Sequence, residues 1–508
     1  MPIAKIRDVG KGVNYDLSPE ELADGVWSHV ENIRFLNGFA QRFKGLSQVF
    51  NAPTTTPYYI TAYQTTTQRY WVHAGTNAVF ADDGTTRTEI TPTSAPTGTA
   101  DDRWSSATLG GLFVMTNGVN VPYFWNGNTG TDLAALTNWD TNERCASIHA
   151  FKNYLVALDI TKSGTRFPHM VKWSHAAVPG SLPDSWDETN VTKDAGEQDL
   201  AETPDLIVDA LPLGDTLVIY KERSMYSMRF IGQPFIFQFQ RLPGDSGMLA
   251  KGCGATTPVG HVVLTAGDVV LNTGQGVQSI ADGTVRRYIF NNIDSTNYKR
   301  AFVTTNPQRN EVLVCFPFNG SSFCNKAAVW NWESKAWGFR DLSNVTYGST
   351  GLISFDIATT WATDSESWRD DGTSWNENEY SPNEARLLLT STTKILAFDV
   401  GSTDDGELVS GVLERTGFTF DDTYGVKLLR AVYPRIDAAD NIPVTIEVGA
   451  SMNADQVPVW SPPVTFTTGT DHKADVLVTG RFLAIRISAP SVFRVRSMDM
   501  DIVPVGAY

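Results

Sequence analysis

The chain has 508 residues, 42% of them hydrophobic and 11% aromatic. That is too apolar for a disordered chain, and its length points to two or three domains rather than one core. Its 56 acidic and 40 basic side chains leave a net charge of −16, which argues against a basic nucleic-acid groove. No apolar run is long enough to span a bilayer, and the first eight residues lack the apolar stretch of a secretion signal, so synthesis in a cytoplasm is expected.

Residues 1–54 read as a lead segment. Ser18-Pro19-Glu20-Glu21 has the form of a helix start, with Ser18 as N-cap, Pro19 in the first helical position and Glu21 completing a capping box. A short helix ending near Gly25 is expected. Residues 32–35 and 39–43, around the Leu36-Asn37-Gly38 turn, read as a hairpin. A propeller must join its ends, so this segment is expected to close a blade or face a partner. Deleting residues 1–30 should then impair assembly more than solubility.

From about residue 55 to 400 one unit recurs: an apolar strand, a polar turn with Gly or Asn, and a second strand rich in aromatics. Its starts at Arg69, Gly111, Tyr154, Thr216, His261 and Glu311 lie 42, 43, 62, 45 and 50 residues apart. Four short strands with their turns need ~40–45 residues, so each interval holds one blade of a β-propeller with six or seven blades. Two acidic segments interrupt the repeat. Residues 182–209 carry nine acids against Lys193, and the insertion at 361–384 carries seven against Arg369. These hold −14 of the −16, as solvated loops or as an acidic contact surface. Trp361, Trp368 and Trp375 recur every seven residues among helix-opposing Asp, Ser, Gly and Asn, which predicts turns pinned by indoles. Residues 401–508 show longer alternating strands, as in Lys427–Tyr433 and around Val444, Phe482 and Phe493, and read as a C-terminal β-sandwich. The expected fold is therefore all-β.

No complete catalytic or metal-binding motif occurs in the sequence. Gly244-Asp-Ser-Gly247 resembles a serine-protease nucleophile motif, but Met248 follows it and no His has a matching context. Asp370-Asp-Gly-Thr-Ser-Trp375 partly matches a sialidase Asp-box, a structural turn, and Asp82-Asp-Gly-Thr-Thr-Arg87 matches less well; no carboxylate pair for glycan hydrolysis stands out. The seven His form no HExxH, and Cys145, Cys253, Cys315 and Cys324 form no CxxC, although the last two flank a hairpin turn. No EF-hand, Walker loop or strand-linked GxGxxG occurs. No catalytic residue, metal or cofactor is expected, and calcium would be adventitious.

Several segments, taken in order, resemble the tail nozzle proteins of short-tailed bacteriophages, the tail tubular protein B and phage stabilisation type. Asn32, Gly38, Arg42 and Gly45 resemble that family's opening signature. Val171-Lys-Trp173-Ser with Pro183-Asp-Ser-Trp186 resembles its Trp-Ser stretch, and Gly252–Pro258 with Val269–Gly276 its central blade. The turns at Trp361, Trp368 and Trp375 also resemble it. The similarity runs from about residue 10 to 400, and more loosely to the end. It implies a homo-hexameric tube at the distal end of the virion tail, below a tail adaptor protein and facing the host outer surface. Genomic DNA would pass down it without sequence-specific binding, and fibres or spikes would attach outside. A duplex carries one charge per ~1.7 Å, so an acidic wall would repel it and keep transit free. Asp184, Asp187, Glu188, Asp194, Glu197, Asp370 and Asp371 are the candidate lining acids. The alternatives are a carbohydrate-binding or carbohydrate-cleaving tail propeller and, with no WD or kelch signature to favour it, a cellular interaction hub.

Overall fold

The computed structural model describes residues 3–64, 69–352, 385–420 and 422–507. The chain is all-β: a seven-bladed propeller joined to a β-sandwich. Each recurring strand pair is the second and third strand of a blade. Blade one is Tyr59–Gln64, Arg69–Ala74, Val79–Asp82 and Arg87–Glu89, paired antiparallel in that order. Blades two to five repeat the pattern, opening at Ser105–Leu109, Glu143–Phe151, Ile207–Leu213 and Gly254–Thr257. The paired strands are apolar because both faces are covered, as in Tyr154–Lys162, whose first seven residues are all buried. Blade six takes Phe302–Asn306, Glu311–Phe316, Cys324–Asn331 and residues 337–341 of the long strand Trp337–Gly351.

Blade seven closes the ring with both ends of the repeat. Residues 345–351 pair with Arg386–Ser391, which pairs with Ile395–Phe398. Its outer strand comes from the lead segment, whose strands are β1 (Ile3–Ile6), β2 (His29–Glu31), β3 (Ile33–Leu36), β4 (Phe39–Arg42) and β5 (Leu46–Gln48). β5 pairs with Ile395–Phe398, so the lead segment closes a blade.

The rest of the lead segment belongs to the sandwich. β3 and β4 form the expected hairpin, with Asn37 and Gly38 at φ 53° and 78°, the left-handed pair a two-residue turn requires. β3 pairs with the outer strand of blade six and β4 with Arg494–Ala507, so one sheet runs from propeller to sandwich. β1 also pairs with Arg494–Ala507, and β2 with Gly411–Phe418 of the facing sheet. Between the two sheets lie Leu413, Ile446, Val448, Ile485 and Ile487 against Leu429, Val432, Met498, Met500 and Ile502.

Two expectations about the lead segment need correction. The helix is a single 3-10 turn, Pro19–Glu21, with no cap bond from Ser18 and Leu22 already extended. The physical reason is Arg415: its guanidinium takes the carbonyls of Pro19 and Leu22, which a longer helix would need for its own N–H groups. Nor is the segment before residue 30 an appendage. Ile6, Val9, Val13 and Trp27 are core residues, and Trp27 Nε1 donates to Val9 O (2.8 Å). Its loss would strike folding rather than assembly alone.

Candidate functional site

The structure brings three of the lead-segment signature residues to one place, the junction of propeller and sandwich. Asn32 sits at φ 55° with its side-chain amide fully used. Its Oδ1 accepts from Arg340 Nη1 (2.9 Å) and the Asp341 N–H (2.9 Å); its Nδ2 donates to Ser410 O (3.0 Å) and Asp341 Oδ2 (3.2 Å). Arg42 is fully buried and donates to Val409 O (2.8 Å) and Ser402 O (2.9 Å). Gly45 lies so close to Thr403 that a Cβ would stand 1.9 Å from its carbonyl oxygen. Gly38 serves the hairpin turn, where Gly10 packs closely against its backbone.

On the other face of the hairpin Arg34 is buried between two carboxylates. Its Nη1 donates to Asp399 Oδ2 (2.6 Å), and its Nε lies 3.1 Å from Glu311 Oε1. Burial alone would lower the Arg34 pKa, but Asp399 and Glu311 outweigh it and hold the guanidinium charged. Burial likewise opposes the Asp399 charge, and Arg34 overcomes it, keeping that carboxyl below its usual range. Glu311 fares differently. Burial pushes it up to about 7, against the pull of Arg34 and with the nearby Asp399 adding to the rise. A carboxyl raised above its unfolded pKa contributes stability that is complete below about 4.3 and is lost as pH rises through about 7. Glu311→Gln is therefore expected to flatten the melting temperature between pH 4.5 and 7.5. An unchanged slope in thermal scans across that range would count against this assignment.

The first acidic insertion leaves blade three between its third strand, Thr165–Trp173, and its outer strand, Gly196–Asp199. It folds back on the blade. Trp173 Nε1 donates to Asp194 O (2.8 Å), and Gly196 allows the contact, since a Cβ there would meet the indole at 2.5 Å. Trp186 is buried and packs edge-on against Trp139, ring centroids 4.7 Å apart. Trp186→Ala is expected to free the insertion, seen as faster proteolysis near residues 178–195 with the rest of the chain unaffected.

Most of the candidate lining acids here are paired internally. Glu188 meets Lys162 (3.1 Å) and Lys172 (3.0 Å), Glu197 meets Lys162, and Glu143 meets Lys172 (2.9 Å). Asp194 accepts from Tyr154 Oη (3.1 Å), and Asp184 pairs with Lys193 at the surface. Asp187 is exposed and holds the Thr189 N–H (2.9 Å). Sequence reasoning missed Lys162, Lys172 and Glu143 because they lie on flanking strands, outside the charge run. Lys172, a charged residue inside the buried run Met170–Trp173, was the available signal. Trp361, Trp368, Trp375, Asp370 and Asp371 lie outside the described residues.

Side chains tie the blades to one another. Arg103, before blade two, donates to Ala301 O (2.6 Å) and Lys299 O (3.1 Å) at blade six and to Thr346 O (3.3 Å) at blade seven. His149 of blade three meets Asp209 of blade four (2.9 Å), and the Gly252 N–H at blade five donates to the other oxygen of Asp209 (3.1 Å). Lys251 reaches back to Ala146 O (2.6 Å), and burial lowers its pKa to about 8. Tyr59 of blade one packs on Tyr347, ring centroids 4.9 Å apart. Arg103 therefore bonds blade two to blades six and seven, which are not its neighbours in chain order.

The remaining candidate chemistry stays dispersed. Asp245 beside Ser246 is exposed and meets Arg241 (3.5 Å). Asp83 of the Asp82-Asp-Gly turn holds the Thr85 and Thr86 N–H groups, a structural turn. The four cysteines are free and buried. Among the described residues no group of three or more His, Cys, Asp or Glu is placed to hold a metal, and no helix is long and apolar enough to cross a membrane.

No family model matches the chain, and no curated protein matches it. Solved structures similar to it are propellers. The WD40 β-propeller domain of Doa1 aligns at 9% identity and TM-score 0.35, covering 70% of this chain and 97% of that one. YCF48 bound to D1 peptide aligns at 10% and 0.38, covering 70% and 99%. BBS1N in complex with ARL6DN aligns at 10% and 0.39, covering 70% and 96%.

Proposed function

We propose that this chain is a structural subunit of the tail nozzle of a short-tailed phage. Six copies would form the distal conduit for DNA and a platform for fibres or spikes. The observation that carries the reading is the ordered set of signature residues in the lead segment: Asn32, Arg42 and Gly45 join the propeller to the sandwich within one continuous sheet. That construction makes a stiff wall element rather than a pocket. In this reading the conduit is formed between chains, and each propeller is part of its wall. Its acidic lining then falls to carboxylates that remain exposed, such as Asp187, Asp199 and Glu202, rather than to Glu188 and Glu197, which the lysines neutralise.

Native mass measurement tests this reading. A hexamer is expected. A monomer, or a trimer that degrades polysaccharide, would favour a carbohydrate-active tail propeller instead.

A further inference from the structure

The second buried cluster at the junction holds more positive charge than negative. Arg42 and Arg340 are both fully buried, and Asp404 is the carboxylate whose charge acts on both: it pairs with Arg340 Nη2 and favours the charged form of Arg42 without bonding to it. Asp341, the other acid nearby, is half exposed and faces Lys326 (3.1 Å). Each guanidinium also keeps one nitrogen without an acceptor among the described residues: Nη1 of Arg42 and Nε of Arg340. Two buried cations sharing one anion are costly, and so is each buried N–H without a partner. Burial and the neighbouring Arg340 both lower the Arg42 pKa, to about 10, yet it stays protonated at neutral pH.

We propose that a small inorganic anion, chloride, binds beside Arg42 and Arg340 and accepts from these two nitrogens. It would supply the missing negative charge and both missing acceptors at once, in the place where the propeller and the sandwich meet. A buried water would satisfy the N–H groups but leave the charge excess. A multivalent oxyanion would overshoot it. The junction, and with it the closed ring, then becomes chloride-dependent.

The test uses the full chain. Melting is followed at constant ionic strength as sodium gluconate is replaced by sodium chloride. A saturable rise of roughly 2–4 °C is expected in chloride alone, because a ligand that binds only the folded state stabilises it by mass action. Arg42→Met is expected to abolish the rise. Where that variant does not fold, crystals of the unmodified chain grown in bromide decide, with an anomalous peak expected within hydrogen-bond reach of Arg42 Nη1 and Arg340 Nε. Identical melting in the two salts, or a bromide map without that peak, overturns the site and points to ordered water in its place.

Discussion

Arg34→Met is expected to destabilise the protein by on the order of 3–5 kcal/mol, the usual cost of removing one partner from a buried ion pair. The substitution keeps much of the side chain's apolar length over the Phe43 ring, where the guanidinium sits 4.2 Å from the centroid. What it removes is the charge between Asp399 and Glu311, both buried. Asp399 would retain the Lys44 N–H (3.1 Å) and a longer contact to Arg309 (3.5 Å). Glu311 would retain Asn306 Nδ2 (3.1 Å) and be driven further towards its neutral form. Chemical denaturation checks the size of the effect. A double variant, Arg34→Met with Glu311→Gln, should recover part of the loss, because Glu311 then no longer has to take up a proton in the folded state. A loss below 1 kcal/mol for Arg34→Met would mean that the junction draws its stability from apolar packing alone.

Removing residues 1–30 is expected to abolish soluble folded protein. The deletion takes β1 and two of the three residues of β2 from the two sandwich sheets, and with them the core side chains Ile6, Val9, Val13 and Trp27. Each large buried side chain lost costs roughly 2–5 kcal/mol, so the four together are comparable to the roughly 5–15 kcal/mol that holds an ordinary domain folded, before the lost strand pairing is added. Trp27→Ala alone should cost roughly 3–5 kcal/mol and loosen Val9, whose carbonyl accepts from the indole. Recovery of a soluble, cooperatively melting chain lacking residues 1–30 would contradict the place given to this segment.

The propeller was legible because its signal is local. A buried strand, a Gly or Asn turn and a second buried strand lie within about 20 residues, and their spacing repeats. The count of six or seven blades resolves to seven because the last blade takes β5 from the other end of the chain. That pairing joins Leu46 to Phe398, and no periodicity reports a contact so far apart in sequence. The lead helix failed for a related reason. Ser18, Pro19 and Glu21 carry a real local preference, yet Arg415, almost 400 residues away, claims the carbonyls. The acidic insertion was visible as a charge run, whereas its neutralisation was not, since Lys162 and Lys172 precede it on strands that read as ordinary apolar repeats. At the junction, Asn32, Arg42 and Gly45 were singled out by resemblance. Their partners Arg340, Asp404 and Thr403 had no sequence signal, being brought there by the continuous sheet.

The central claim is that this chain is a wall element whose conduit lies between copies. Electron microscopy of the purified full-length protein, with native mass on the same sample, tests it most directly. The expected result is a six-fold ring of six chain masses, with each propeller part of its wall and an open bore at the centre of the ring. A monomeric propeller, or a ring with no central opening, would contradict it.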